Sequence, residues 1–360
     1  MVKPITKETL FMNCMELDFA TKLELEHWMA TFEEKVWTED IMKELSKAGL
    51  VRRTVAQVWN KQNHRLTSTF EYEDENAYKA CQKIIEEKVS ETLISAYKML
   101  EQGGSSIDIV EYAVSEFEDS PLFNAGKGSV YTSNETQEMD ASIMHGKNRS
   151  AGAVASVKKI KNPIKLARKI SEYTEHVLLV GDGAESFAQS IGETIVDPSY
   201  FYSEKNLLRL RKQKKLTSHD NIIQDKIGTV GAVALDKMGN IPAGTSTGGM
   251  TNKMPGRVGD SPLIGAGTWA QNDVCGVSST GHGEFFIKYQ VAKEVCTRIE
   301  YLGQSLNEAS SKVISELYDI GASGGLIAID KSGNVAMPFN TQGMIRGSLT
   351  NKSKLNIAIY

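Results

Sequence analysis

Cysteine is scarce in this chain. There are four, Cys14, Cys81, Cys275 and Cys296, with no metal-ligand spacing and no close pair. That excludes a zinc module and a Cys-x-x-Cys redox centre, and it predicts reduced core thiols in a reducing compartment. Long apolar runs are missing too, since no stretch approaches the roughly 18–20 residues that a membrane-spanning helix needs. The first ten residues, MVKPITKETL, lack the apolar segment of a secretory signal, so the expected location is the cytoplasm. A net charge of only −4 gives no footprint for nucleic acid. What is present is 360 residues, 41% hydrophobic and 24% charged. That is the composition of a soluble globular protein, with room for a large domain plus a small one, or two moderate ones.

Residues 1–88 read as a unit apart. Thr9 to Phe19 has the pattern of a strand, and Leu23 to Ala48 carries Glu, Lys, Leu and Met at helical spacing, stopping at Gly49. Val51 to Trp59 and Arg65 to Tyr72 alternate like paired strands, and Asn76 to Lys88 is a second helix. This order predicts a small α+β unit of ferredoxin-like type. The same order, with the edge FEYED (70–74), resembles the dimeric α/β-barrel monooxygenase-like domains. On that resemblance the unit binds a ligand or oligomerises. His27 and His64 are then either ligands or surface histidines, while Trp28, Phe32 and Trp37 read as core.

From Val89 the pattern changes. Glu91 to Leu100 is helical, and Ser106 to Glu118 forms a second helix with Ile107, Val110, Ala113, Val114 and Phe117 on one face. The glycine-rich loop SPLFNAGKGS (120–129) leads to a strand at 130–132, and further strands are expected at 138–146, 151–157 and 176–180. Asn162 and Pro163 open a helix over 164–173, and another spans 183–192. Arg209, Arg211, Lys212, Lys214 and Lys215 precede TSHDN (217–221), and such a basic, polar run reads as a solvated face or mobile linker.

The segment GTVGAVALD (228–236) opens on a glycine and a threonine and continues as a buried strand. It turns at KMGN (237–240) and returns as Ile241 to Thr245, running into STGG (246–249). Folded as a hairpin about Met238 and Gly239, it sets Thr229 opposite Thr247, within one residue. Taken alone, Thr229 is a β-former in a strand. Freed as an N-terminus, its own α-amine, with a pKa of about 7.7–8.0, would serve as the base for its hydroxyl. The loop NKMPGRVGDSP (252–262) then holds Arg257 and Asp260 three residues apart, a salt bridge by default. A strand over 274–279 reaches TGHGE (280–284), which opens a helix over 285–301; another helix spans 305–318, and 325–339 repeats the hairpin form. Hairpin connections predominate, which favours two antiparallel sheets packed together under helical layers.

The segments LFNAGKGS (122–129), EMDASIM (138–144), GTVGAVALD (228–236), TSTGGM (245–250), GRVGDSP (256–262) and STGHGE (279–284) together resemble the plant-type asparaginase / isoaspartyl peptidase family of N-terminal-nucleophile hydrolases. The resemblance covers residues 89–360. It implies an α+β fold, a four-layer αββα sandwich, cut into 89–228 and 229–360 when the precursor cleaves itself between Gly228 and Thr229. Thr229 matches the nucleophile and Thr247 the threonine that orients it. Thr280 and Gly281 match the oxyanion-hole donors. Arg257, Asp260, Gly281 and Gly283 match the groups around the substrate's α-carboxylate and α-ammonium, and Asn124 matches an asparagine near the nucleophile. Backbone carbonyls of Phe117, Glu118, Ser120, Phe123, Ala125 and Lys127 match a loop that holds a sodium ion. No other cofactor is implied, and the processed units form a dimer.

The implied reaction is hydrolysis of β-aspartyl dipeptides and asparagine. One family element is missing, a first strand ending in a His-Gly-Gly-Ala-Gly type segment, and residues 1–88 stand in its place. Two alternatives therefore stay open: an unprocessed relative serving as a scaffold, or a glycosylasparaginase-like amidase.

Overall fold

The computed structural model describes residues 11–19, 50–59, 64–72, 75–214, 228–341 and 343–359. The expected helix over 23–48 and the residues His27, Trp28, Phe32 and Trp37 lie outside them, as does TSHDN (217–221). Contacts divide the chain into two units, 1–88 and 89–360. In the first, strands β1 (Phe11–Phe19), β2 (Leu50–Trp59) and β3 (His64–Tyr72) form an antiparallel sheet in the order β1-β3-β2. The helix expected over 76–88 and the one expected over 91–100 are a single helix, α1 (Glu75–Glu101), and the division between the units falls inside it. No glycine or proline interrupts Val89 to Glu91, so the helical ladder continues.

The second unit is built on two sheets. Helix α2 (Ser106–Glu118) starts at Ser105, whose hydroxyl accepts from the Asp108 backbone N–H. There follow β4 (Met139–His145), β5 (Ala151–Val157), α3 (Pro163–Tyr173), β6 (Leu178–Val180) and α4 (Gly181–Ser190). Helix α5 (Glu204–Lys214) occupies the described part of the expected basic linker. It is no solvated loop, because Asn206 and Leu210 are buried and the Asn206 amide donates to the Gly128 carbonyl at 2.9 Å.

Strands β7 (Val230–Val233) and β8 (Pro242–Thr247) complete a sheet of order β6-β5-β4-β8-β7, antiparallel except for the β5–β6 pair. The second sheet contains β9 (Thr268–Gln271), β10 (Cys275–Gly281), β11 (Gly324–Asp330) and β12 (Val335–Ala336), in the order β12-β11-β10-β9. Where one helix over 285–301 is expected there are two, α6 (Gly283–Tyr289) and α7 (Val291–Leu302), separated by Gln290 in the left-handed region. Helix α8 (Leu306–Asp319) carries a capping box of Ser305 and Glu308. A terminal hairpin, β13 (Arg346–Thr350) and β14 (Ser353–Ala358), escapes the sequence pattern. The strand expected at 130–132 is only an isolated bridge from Thr132 to Lys253.

Packing follows from side-chain size. Gly244 of β8 has no Cβ, which would stand 2.7 Å from Val110 of α2, so the helix lies close on the sheet. On the opposite face, β8 meets the second sheet through hydroxyls. Thr245 Oγ1 bonds Ser278 at 2.7 Å and Thr268 at 2.6 Å, and Ser142 donates to Thr268 at 2.8 Å. These groups are buried, and pairing with one another removes the cost of desolvation. The outer face of the second sheet buries Val277, Leu326 and Ala328 against Val295, Ala309, Val313 and Leu317.

The cysteine expectation is corrected in part. Cys275 of β10 and Cys296 of α7 form a disulfide, with Cα atoms 5.8 Å apart. Their separation of 21 residues hid the pairing, because only the packing of α7 on β10 brings them together.

Candidate active site

The β7–β8 hairpin sets the centre of the site. Val230 pairs with Ser246 and Gly231 with Thr245. Continuing that register puts Thr229 beside Thr247, and the Thr229 hydroxyl donates to Thr247 Oγ1 at 3.2 Å. Thr247 Oγ1 also accepts the Gly249 backbone N–H at 3.0 Å. Thr247 is buried and Thr229 half-buried, so the first hydroxyl is fixed and the second borders open space.

Asn124 locks the turn after β8. Its amide donates to the Gly249 carbonyl at 2.6 Å and its side-chain oxygen accepts from Val130 N–H at 3.1 Å. Its own carbonyl accepts Gly248 N–H at 2.9 Å. With both side-chain ends used, Asn124 holds the threonine turn to the 122–129 loop. A Cβ on Gly248 would stand 2.5 Å from Asn124 Oδ1, so this approach requires glycine.

The end of β10 faces the same hairpin. The Cβ position of Gly228 lies 3.3 Å from Thr280 Oγ1, which brings the Gly228–Thr229 peptide to that hydroxyl. Gly281 pairs with Gly324, and a Cβ on Gly281 would meet the Ser323 carbonyl at 2.5 Å and Phe286 at 2.7 Å.

A charged cluster lies alongside. Arg257 does not pair with Asp260, as the sequence suggests by default; Arg257 Nε and Nη2 both reach Glu284 Oε1 at 2.9 Å. Asp260 is buried, and burial pushes its carboxyl up to about 7 despite its own backbone N–H and the Arg257 charge. Gly283 sits between the two: its Cβ position is 2.8 Å from Arg257 Nη2 and 3.0 Å from Asp260 Oδ1. Lys253, also buried, donates to the Glu138 carbonyl at 2.8 Å; burial lowers its ammonium, against Asp140 and Glu138. Burial raises the Asp140 carboxyl, against Lys253, the Ser156 N–H and Arg257. Burial raises the Glu284 carboxyl, but the charge and hydrogen bond of Arg257, its own backbone N–H and His282 together bring it below the ordinary value.

Sequence reasoning passed over the side chains of Glu284, Lys253, Asp140 and Glu118, the last of which it names only for its backbone carbonyl. Glu284 and Asp140 stand inside the quoted motifs, whereas Glu118 carries no local signal. Glu118 Oε1 accepts from Ser246 Oγ at 2.6 Å and Ile164 N–H at 3.0 Å, tying α2 and α3 to β8 one residue before Thr247. Fully buried, it is pushed up to about 8.

The fold therefore brings a hydroxyl pair, a glycine-lined strand end and the separate charged groups of Arg257 and Asp260 together. A profile of the asparaginase family matches residues 69–359. An Escherichia coli (strain K12) protein named isoaspartyl peptidase is 49% identical over 268 residues, covering 72% of this chain and 84% of that protein. A putative isoaspartyl peptidase/L-asparaginase of Dictyostelium discoideum is 47% identical over 289 residues, covering 71% and 83%. The human isoaspartyl peptidase/L-asparaginase is 44% identical over 264 residues, covering 72% and 85%. The chain belongs to the asparaginase family, and it is a hydrolase.

Residues 8–102 match a domain family of unknown function. A dimeric ferredoxin-like protein from an uncultured marine organism is 42% identical over 22% of this chain and 68% of its own, with a TM-score of 0.19. Among the described residues no helix is long and apolar enough to cross a membrane.

Proposed function

We propose that this chain is a self-processing threonine hydrolase that cleaves β-aspartyl dipeptides and L-asparagine. The observation that carries the reading is the Thr229–Thr247 hydroxyl pair at 3.2 Å, immediately after Gly228. Processing begins with attack of Thr229 Oγ on the Gly228 carbonyl carbon. The ester formed by this acyl shift is hydrolysed, which leaves Thr229 with a free amine. The products, 1–228 and 229–360, stay together as one αββα sandwich. Residues 1–88 form a ferredoxin-like appendage, and processed units pair as dimers.

In turnover, Thr229 Oγ attacks the side-chain amide carbon of the substrate and the Thr229 amine takes its proton. Thr247 orients the nucleophile, with Asn124 holding the turn behind it. Thr280 and Gly281 stabilise the tetrahedral oxyanion, a contribution of about 3–4 kcal/mol per donor to the barrier. Collapse expels ammonia or the peptide amine, which takes up the proton, and water then hydrolyses the acyl ester to release aspartate. Arg257 pairs with the α-carboxylate and Asp260 with the α-ammonium, while Gly283 leaves room between them.

The 117–128 loop suits a hard cation such as sodium. The carbonyls of Glu118 and Phe123 crowd the missing Cβ positions of Gly126 and Gly128, where no side chain fits. The carbonyls of Phe117, Glu118, Ser120, Phe123, Ala125 and Lys127 would hold the ion, which would brace the loop carrying Asn124.

The test is the intact mass of the purified protein after storage, beside a Thr229→Ala control. Fragments 1–228 and 229–360 in the wild type alone, with release of aspartate from a β-aspartyl dipeptide, are expected. Intact chain after long incubation would favour a scaffold, and hydrolysis confined to glycosylated asparagine would overturn the substrate assignment.

A further inference from the structure

Resting on the reading above, we propose that Glu284 is a positioning residue. It takes the Nε–Nη2 edge of Arg257 and keeps the guanidinium off Asp260, so that both charges stay separate and available to a zwitterionic substrate. The problem it solves is general. A half-buried arginine within reach of a buried carboxylate would pair with it unless a third group intervenes, and a collapsed pair would no longer serve a ligand. Here the third group is visible. Glu284 Oε1 accepts from Arg257 Nε and Nη2, both at 2.9 Å. Asp260 Oδ2 has no hydrogen-bond partner among the described groups, although the residue is only 5% exposed. No ion pair joins Arg257 to Asp260 among the described residues.

The space held open has a definite place. The Cβ position of Gly283 lies 2.8 Å from Arg257 Nη2 and 3.0 Å from Asp260 Oδ1, so any side chain at residue 283 would crowd both charges, and only glycine leaves the gap between them open. Nη1 of the same guanidinium is bordered by glycines, with the Cβ positions of Gly259 and Gly249 at 2.8 and 3.4 Å. Glu284 reaches Arg257 from the start of the neighbouring helix. It lies one residue beyond Gly283 at the start of α6, and its second oxygen is 3.7 Å from His282 Nε2, too long for a hydrogen bond. Glu284 thus touches Arg257 and acts on the ligand only through it.

The experiment compares Glu284→Ala and Glu284→Gln with the wild type. KM and kcat are measured for a β-aspartyl dipeptide, the inhibition constant for L-aspartate, and the melting temperature for each protein. Losing charge-assisted hydrogen bonds of this kind should raise KM and the aspartate constant by about tenfold or more in Glu284→Ala, with kcat within about threefold. In Glu284→Gln the amide oxygen still accepts from Nε and Nη2, and most of the affinity should return. An unchanged KM in Glu284→Ala would overturn the proposal. So would equal losses in both variants that track their melting temperatures. Failure of the wild type to hydrolyse the dipeptide would count against the threonine reading instead, and aspartate binding followed by calorimetry would still decide the role of Glu284.

Discussion

Val230 pairs with Ser246 across the β7–β8 hairpin, and the next residues outward, Thr229 and Thr247, meet through their hydroxyls at 3.2 Å. Strand register does this, because opposed residues on one face of an antiparallel pair are near neighbours. Thr247→Val keeps the shape and removes the oxygen. It should lower kcat roughly a hundredfold, the low end for losing a group that orients proton transfer. Thr247→Ser should keep most of the activity. Steady-state kinetics on a β-aspartyl dipeptide checks both, and a fully active valine variant would remove Thr247 from the mechanism.

Asp260 sets an expectation for pH. Burial holds its carboxyl up to about 7 in the free protein, so it is protonated below that pH and charged above it. A substrate ammonium needs the charged form, and kcat/KM should therefore rise through about pH 7. Once the ammonium is bound it favours the carboxylate, so kcat should lose this limb and keep only the one from the Thr229 amine. Identical acid limbs in kcat and kcat/KM would contradict this role.

Glu118 links pH to stability. Its carboxyl is pushed from an ordinary 4.5 up to about 8 by complete burial. The folded protein thus binds a proton that the unfolded chain releases above about pH 4.5. The stabilisation is whole below that pH and is lost as pH rises towards about 8, at no more than about 1.4 kcal/mol per pH unit. Glu118→Gln keeps an oxygen for Ser246 and Ile164 and does not titrate. Urea melts from pH 5 to 8 should show the variant gaining steadily on the wild type, and a constant difference would mean that Glu118 does not titrate on unfolding.

The Cys275–Cys296 bridge closes a loop with a sequence separation of 21 residues. Breaking it should cost about 3 kcal/mol through the entropy of the unfolded chain. Melting with and without a reductant measures the loss. Cys275 and Cys296 should resist thiol labelling in the unfolded chain until the reductant is added.

Much of the site was legible because its residues lie in short motifs whose chemistry is local. A glycine before a threonine, a turn at Met238 and Gly239, and a return strand fix the hairpin by counting, and the register from Val230 to Ser246 follows from it. Arg257 and Asp260 share one loop, and their proximity to Gly283 was an expectation of the family pattern. What the sequence determined, then, was alternation, turn placement and the chemical type of each group, since these depend on neighbours along the chain. The tertiary structure alone decided which carboxylate holds Arg257, because Glu284 arrives from a different strand end. Packing of α7 on β10 likewise decided the cysteine bridge, and the convergence of α2, α3 and β8 decided the burial of Glu118. Desolvation and pairing are properties of the assembled interior, and no stretch of sequence carries them by itself.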